Sequence, residues 1–260
     1  MSDGNRLRLR QIAFVAKDLE ATTAELCDVL GLEVAYRDPG VGKWGLENIV
    51  APIGGAFLEI VSPREGNTSA GRYLERRQGD GGYMVILQCP DAVAERKRIT
   101  GMGIRAVATA DRDDYFYTHF HPADVGGYLL SVDSVDPSQD WLSEDCLWPP
   151  AHYDWLKHRS RDASADLVAV ELQSPDPVAN ADLWSRLLGL PIKVDSGKLV
   201  MPLTRGAIRF VKAEDGRGTG IGALDVKAAD KAKIIAAARK RKLPTSGDQV
   251  TVVGCRINLV

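Results

Sequence analysis

An excess of charge of either sign is missing from this 260-residue sequence: 33 Lys and Arg face 35 Asp and Glu, a formal net charge of -2. That balance argues against a nucleic-acid partner or an anionic membrane surface. No apolar run approaches a membrane span, and the opening MSDGNRLRLR lacks the apolar core of a secretion signal, so the expected location is cytoplasmic. Cysteine is scarce. Cys27, Cys89, Cys146 and Cys255 lie far apart without a CxxC pair, which fits reduced thiols better than a disulfide frame or a zinc site. What is present, 45% apolar residues, describes a soluble globular chain long enough for two domains.

The chain repeats a pattern. From Leu7 it reads as a strand, a helix (DLEATTAELCDVLG) and three strands (EVAYRD, LENIVAP, AFLEIV). Asp18 supplies an N-cap, Leu19, Leu26, Val29 and Leu30 follow helical spacing, and Gly31 closes the helix. The same order restarts near Gly82, Leu167 and Ile221, with helices after Asp91, Asp176 and Asp230. Asp18 to Glu59 spans 41 residues and Asp91 to Ser131 spans 40. A single unit leaves a sheet face unburied, so such units must pair to close a core. The expected fold is therefore α+β, four βαβββ modules paired into two domains over residues 6–135 and 165–260. Residues 136–164, with Trp141, Trp148 and Trp155, read as a connector that packs.

Within that frame GGAFLEIVSP (54–63) and GGYLLSVDSV (126–135) match in glycines and apolar rhythm, yet Glu59 in the first corresponds to Ser131 in the second. Glu59 sits between Leu58 and Ile60. A carboxylate there either meets solvent, pairs with an arginine, or serves as a buried acid, base or ligand. In DDYFYTHFHP, strand alternation places Tyr115, Tyr117, His119 and His121 on one face, two of the chain's four histidines among them. Imidazole moves protons near neutrality, so His119 and His121 are candidates beside Glu59; the plainer reading is an exposed polar edge. His152 and His158, in the connector, read as structural or solvated. Arg37, Trp44, Glu47 and Asn48 fall on or near the second and third strands of the first module. Arg37, and Arg72 in AGRYLERR before the second module, could hold an anion and Trp44 could stack on a ring, although each also fits a rim, packing or helix-surface position. GVGKWG (40–45) matches GxGxxG but precedes a strand, which excludes a dinucleotide loop.

Four stretches, QIAFVAKDLEATTAELCDVLGLEV, GGAFLEIVSP, HPADVGGYLLSV and DPVANADLWSRLLGLP, carry a resemblance to the vicinal oxygen chelate superfamily. That group includes glyoxalase I, methylmalonyl-CoA epimerase, extradiol dioxygenases and bleomycin-resistance proteins. The resemblance implies two glyoxalase-like cupped sheets and a divalent metal held from the first and last strands of paired modules. Carried over, those positions fall on Gln11, Glu59, Met84 and Ser131, and in the second half on about Ala169, Phe210, Ala223 and Asn258. Met84 and Ser131 are poor replacements for His and Glu, so Gln11 and Glu59 form an incomplete metal set. No cluster of ionisable groups is expected at the second set of positions.

The resemblance implies an enzyme, an isomerase or lyase moving a proton on a small carbonyl-bearing metabolite. In it Glu59 acts as base or ligand, His119 as proton donor or replacement ligand, and Gln11 as neutral polar ligand or orienting group, with His121 a further catalytic candidate. Arg37, Trp44, Asn48, Tyr115, Tyr117 and Arg72 are the substrate-binding candidates. The alternative is a metal-free protein that sequesters a small molecule, as bleomycin-resistance proteins do. Either reading implies a small-molecule ligand without nucleic-acid or membrane partners, and leaves a homodimer open.

Overall fold

The computed structural model describes residues 6–260. The first quarter of the chain forms β1 (Arg8–Val15), α1 (Leu19–Leu30), β2 (Leu46–Ile53) and β3 (Ala56–Pro63). A helix, α2 (Ser69–Arg77), leads to β4 (Gly81–Gln88), α3 (Ala92–Thr100), β5 (Ala106–Asp111), β6 (Tyr115–Phe120) and β7 (Leu129–Val135). The second half repeats the order. It comprises β8 (Ser164–Ser174), α4 (Pro177–Leu188), β9 (Lys193–Asp195), β10 (Lys198–Pro202) and β11 (Ala207–Lys212). Then come β12 (Gly220–Ala228), α5 (Lys231–Lys240), β13 (Thr245–Ser246), β14 (Gln249–Val252) and β15 (Cys255–Leu259).

Four of the helices start in one way. The carboxylates of Asp18, Asp91, Asp176 and Asp230 accept the backbone N–H three residues on, from Ala21, Ala94, Ala179 and Lys233, at 2.9–3.0 Å. Each cap is worth about 1 kcal/mol, because it satisfies a donor that the helix itself cannot. Gly31 and Gly189 end α1 and α4 in the left-handed region that glycine enters freely.

The sheet topology repeats as well. β1 and β4 run antiparallel, with β3 parallel to β1 and β7 parallel to β4 outside them. β8 and β12 are arranged likewise between β11 and β15. Hydrogen bonding continues through both halves as one 15-stranded sheet among the described residues. The seam is the pairing of Gly82 with Ile221, where a Cβ on Gly82 would lie 2.4 Å from the Ile221 side chain. One sheet face packs under the helices through Ile12, Phe14, Leu58, Ile60, Val85 and Leu87. The other face of the N-terminal half curls into a cup lined by Ala13, Val50, Phe57, Met84 and Ile86.

Between β7 and β8 the chain forms only short 3-10 turns, yet Trp148 and Trp155 are fully buried in that cup against Phe57. Two buried arginines hold the segment down. Arg8 donates to the carbonyls of Trp141, Ser143 and Gly55 at 2.6–2.9 Å, and Arg10 donates to the carbonyls of Gly55 and Cys146. The Arg10 guanidinium also lies over the rings of Phe57 and Trp148, at 4.9 and 5.1 Å from their centroids.

Two expectations need correction here. EVAYRD is not a strand: it contributes a single bridge, Tyr36 to Val50, before Asp38 caps a 3-10 turn over Pro39–Trp44. Proline at the start of that turn removes a donor and ends any ladder. The second-half register also moves one expected position. Glu59 lies opposite Ala13, five residues before a capping aspartate; the residue opposite Glu171, five before Asp176, is Arg209 rather than Phe210. Arg209 makes a two-armed pair with Asp225 and lies 3.1 Å from Glu171, while Asn258 donates to Asp225 at 2.8 Å. The expected absence of ionisable groups is thus overturned: these strands of the second half carry an ion-paired cluster.

Candidate active site

Strand alternation carries Gln11, Ala13, Glu59, Met84, Ile86, Tyr115, Tyr117 and His119 to the concave side of the first cup. There they wall a cavity of about 430 Å³. Asn48, on β2, joins them, and the turn before β2 closes the rim with Asp38, Val41 and Trp44. The volume suits a small metabolite.

Glu59 is the buried carboxylate of this cavity, and its hydrogen bonds come from neutral amides. Gln11 donates from Nε2 to one carboxylate oxygen at 2.8 Å, and Asn48 donates from Nδ2 to the other at 2.6 Å. The amides are themselves fixed. Trp148 Nε1 donates to Gln11 Oε1 at 2.6 Å, and the Asp38 backbone N–H donates to Asn48 Oδ1 at 2.8 Å. Burial raises the proton affinity of Glu59 above the ordinary carboxylate value, and the two amide donors only partly oppose this. A carboxylate oriented on both oxygens, without a cation holding it ionised, is suited to accept a proton.

Across the cup, β6 and β7 supply a second polar group. Asp133, fully buried, accepts from the hydroxyls of Tyr115 and Ser131. Burial pushes its carboxyl up to about 7, against the pull of those two hydrogen bonds. His119 is half-buried, 4.7 Å from the Tyr117 ring and 5.8 Å from the Trp44 ring. Its protein surroundings and the nearby Lys43 ammonium push its imidazole down to about 4. The ring is therefore neutral at neutral pH, which corrects the expectation of a group titrating there. Lys43 itself lies over Trp44, with Nζ 3.4 Å from the Tyr117 hydroxyl.

The structure brings Glu59, His119, Gln11, Trp44, Asn48, Tyr115, Tyr117 and Arg72 around one cavity. It does not bring His121 or Arg37. β6 ends at Phe120, so alternation stops before His121. That ring instead caps a 3-10 turn by accepting from Ala123 N–H, and it contacts Arg105. Arg37 pairs with Glu20 through both guanidinium nitrogens at 2.7 and 2.9 Å on the outer surface, because its segment is not a cup strand. Reading the sequence missed Asp133 and Trp148. Asp133 was within reach, since it lies two residues beyond Ser131 and so on the same strand face. Trp148 gave no local signal of its partner, 137 residues away.

The resemblance implies a divalent metal at Gln11, Glu59, Met84 and Ser131, but these residues do not fit one. The Gln11 carbonyl oxygen is taken by Trp148, and its amide N–H points at Glu59. Met84 offers a thioether, and the Ser131 hydroxyl is turned to Asp133. Among the described residues, no group of three or more His, Cys, Asp and Glu could hold a metal ion.

Comparison with known proteins agrees with this architecture. Over 133 residues the chain is 26% identical to the ethylmalonyl-CoA/methylmalonyl-CoA epimerase of Cereibacter sphaeroides, spanning 49% of this chain and 98% of that protein. It is 23% identical to mouse mitochondrial methylmalonyl-CoA epimerase over 49% of this chain and 73% of that protein. The fold resembles that of a 4-hydroxymandelate synthase mutant from Streptomyces coelicolor (TM-score 0.64, 15% identity, 92% of this chain and 76% of that one). It also resembles a hypothetical protein from Staphylococcus aureus (TM-score 0.66, 12% identity, 98% and 100%). The glyoxalase-like domain profile matches residues 12–188, most of the chain. With its paired cupped strands and its Glu59 cavity, the chain belongs to the glyoxalase-like family of the vicinal oxygen chelate superfamily.

Proposed function

We propose that the chain is an enzyme of isomerase or lyase type that moves a proton on a carbon next to a carbonyl in a small metabolite. The observation that carries this reading is Glu59: a buried carboxylate, oriented by two neutral amides, on the wall of a metabolite-sized cavity. Glu59 takes the proton and becomes the neutral acid, which its buried setting favours. Electron density moves to the carbonyl oxygen, and neutral donors stabilise the enolate: the His119 ring N–H and the Tyr117 hydroxyl backed by Lys43. On this reading Glu59 returns the proton it took, while Tyr115, its hydroxyl donated to Asp133, lines the facing side of the cavity. The epimerases among the relatives support the reading.

Deuterium incorporation tests it. The protein is incubated in D2O with branched acyl thioesters, α-hydroxyketones and 2-oxo acids, and exchange at the α-carbon is followed by proton NMR. Exchange on at least one class is expected, reduced at least 100-fold in Glu59→Gln, which keeps the shape and removes the base. No exchange across the panel, or full exchange by Glu59→Gln, overturns the proposal. The sequestration reading is favoured by the aromatic lining of Trp44, Tyr115 and Tyr117. It requires tight ligand binding by wild type and Glu59→Gln alike, with no exchange in either.

A further inference from the structure

The Glu59 cavity has a neighbour. Ser69, Arg72, Tyr83 and Leu129 form part of its wall and also part of the wall of a second hollow of about 820 Å³. This hollow runs along α2 toward Arg217, Gly218 and Thr219, the segment that enters β12. Its ionisable lining is one-sided. Arg72, Arg76, Arg217 and His121 face it with Tyr73 and Tyr83, and no Asp or Glu among the described residues does, although acids outnumber Lys and Arg in the whole chain.

The arginines are not equivalent. Arg217 is spent on structure, donating to the carbonyls of Arg77, Gly79, Asp80 and Gly254 at 2.7–3.1 Å. Arg72 is held by neutral acceptors only: the Asn67 carbonyl at 2.6 Å, Asn67 Oδ1 at 2.9 Å and Ser69 Oγ at 3.2 Å. These contacts hold its exposed guanidinium at the wall the two hollows share, and among the described residues no carboxylate lies within ion-pair distance of it. Arg76 lies over the Tyr73 ring at 4.9 Å, and among the described residues it has no carboxylate partner within ion-pair distance. Two positioned cations without a carboxylate partner, beside a hollow that shares a wall with the Glu59 cavity, are an arrangement for an anionic ligand group.

We infer that this hollow is an anion subsite. It takes a phosphate or carboxylate borne by a molecule whose carbonyl end reaches Glu59, with Arg72 the main contact and Arg76 a second. The identity of the carbonyl end rests on the proton-transfer reading; the binding of the anion does not. The substrate class is then a carbonyl metabolite larger than the first cavity and carrying a terminal negative charge.

The test is calorimetric titration of the full-length protein with phenyl phosphate and with benzoate, at fixed ionic strength. Wild type, Arg72→Gln, Arg76→Gln, Arg72→Lys and Glu59→Gln are compared, each checked for fold by circular dichroism. Single-site binding of at least one probe is expected, weakened about tenfold in Arg72→Gln, less in Arg76→Gln, partly restored in Arg72→Lys, and weakened by added salt. The better-bound probe tells phosphate from carboxylate. Glu59→Gln should bind the probe as wild type does, so a failure of the proton-transfer reading leaves this result standing. Absence of saturable binding of both probes, or affinity unchanged in Arg72→Gln and Arg76→Gln, overturns the subsite.

Discussion

Replacing Asp133 with asparagine should remove a pH dependence that the buried carboxyl imposes on stability. In the folded protein Asp133 holds its proton to about 7, whereas an unfolded aspartate releases it near the ordinary value of 3.8. Between those values the folded state binds more protons than the unfolded state, so this group makes stability fall as pH rises. At about 1.4 kcal/mol per pH unit, the full penalty is roughly 4 kcal/mol, reached just above pH 7 and absent below pH 4. The asparagine side chain of Asp133→Asn resembles the protonated acid in shape and charge, and the hydroxyls of Tyr115 and Ser131 can turn to meet its amide. The assay is urea unfolding of both proteins at intervals from pH 4 to 8. The difference, variant minus wild type, should be smallest near pH 4 and grow steadily to several kcal/mol by pH 8. Glu59, whose burial gives a shift of the same sign, is common to both proteins and cancels. A difference independent of pH, or one that favours wild type increasingly as pH rises, would falsify the assignment of a buried, proton-holding Asp133.

His119 should behave in the opposite sense. With its imidazole pushed down to about 4, its ring signals in NMR should report a neutral ring from pH 5.5 upward. The stability it contributes is then present above pH 6.5 and lost as pH falls toward 4, because the unfolded ring takes up a proton that the folded ring resists; a ring midpoint near 6.5 would sink this. Trp148→Phe removes the N–H that reaches the Gln11 carbonyl, leaving a buried acceptor unpaired at a cost of about 1–3 kcal/mol in unfolding experiments. Gln11, released, would hold Glu59 less firmly. The pH at which exchange activity sets in should then rise, since the amide bond from Gln11 lowers the Glu59 proton affinity; unchanged stability and an unchanged pH profile would count against the relay.

Local chemistry made much of this protein legible. Asp18, Asp91, Asp176 and Asp230 announce four helices because capping is a short-range hydrogen bond between neighbours in sequence. Alternation along β3 and β6 placed Glu59, Tyr115, Tyr117 and His119 on cup faces, because a strand's side chains change side with period two. The same rule failed where the strand itself ended: His121 lies one residue beyond β6, and Arg37 lies in a segment that makes only a bridge. A one-residue slip exchanged Arg209 for Phe210, since strand pairing, not sequence, sets which residue faces inward. The sequence alone thus determined the repeat, the helix starts and the carboxylate at the centre of the cup. Tertiary structure alone decided what surrounds that carboxylate. It seated Trp148 on Gln11 across 137 residues, put Asp133 behind Tyr115, and set the cavity beside a hollow lined by Arg72 and Arg76. Those outcomes depend on long-range packing, which removes water and brings distant chain segments together, and proton affinity follows from that burial rather than from the residue type.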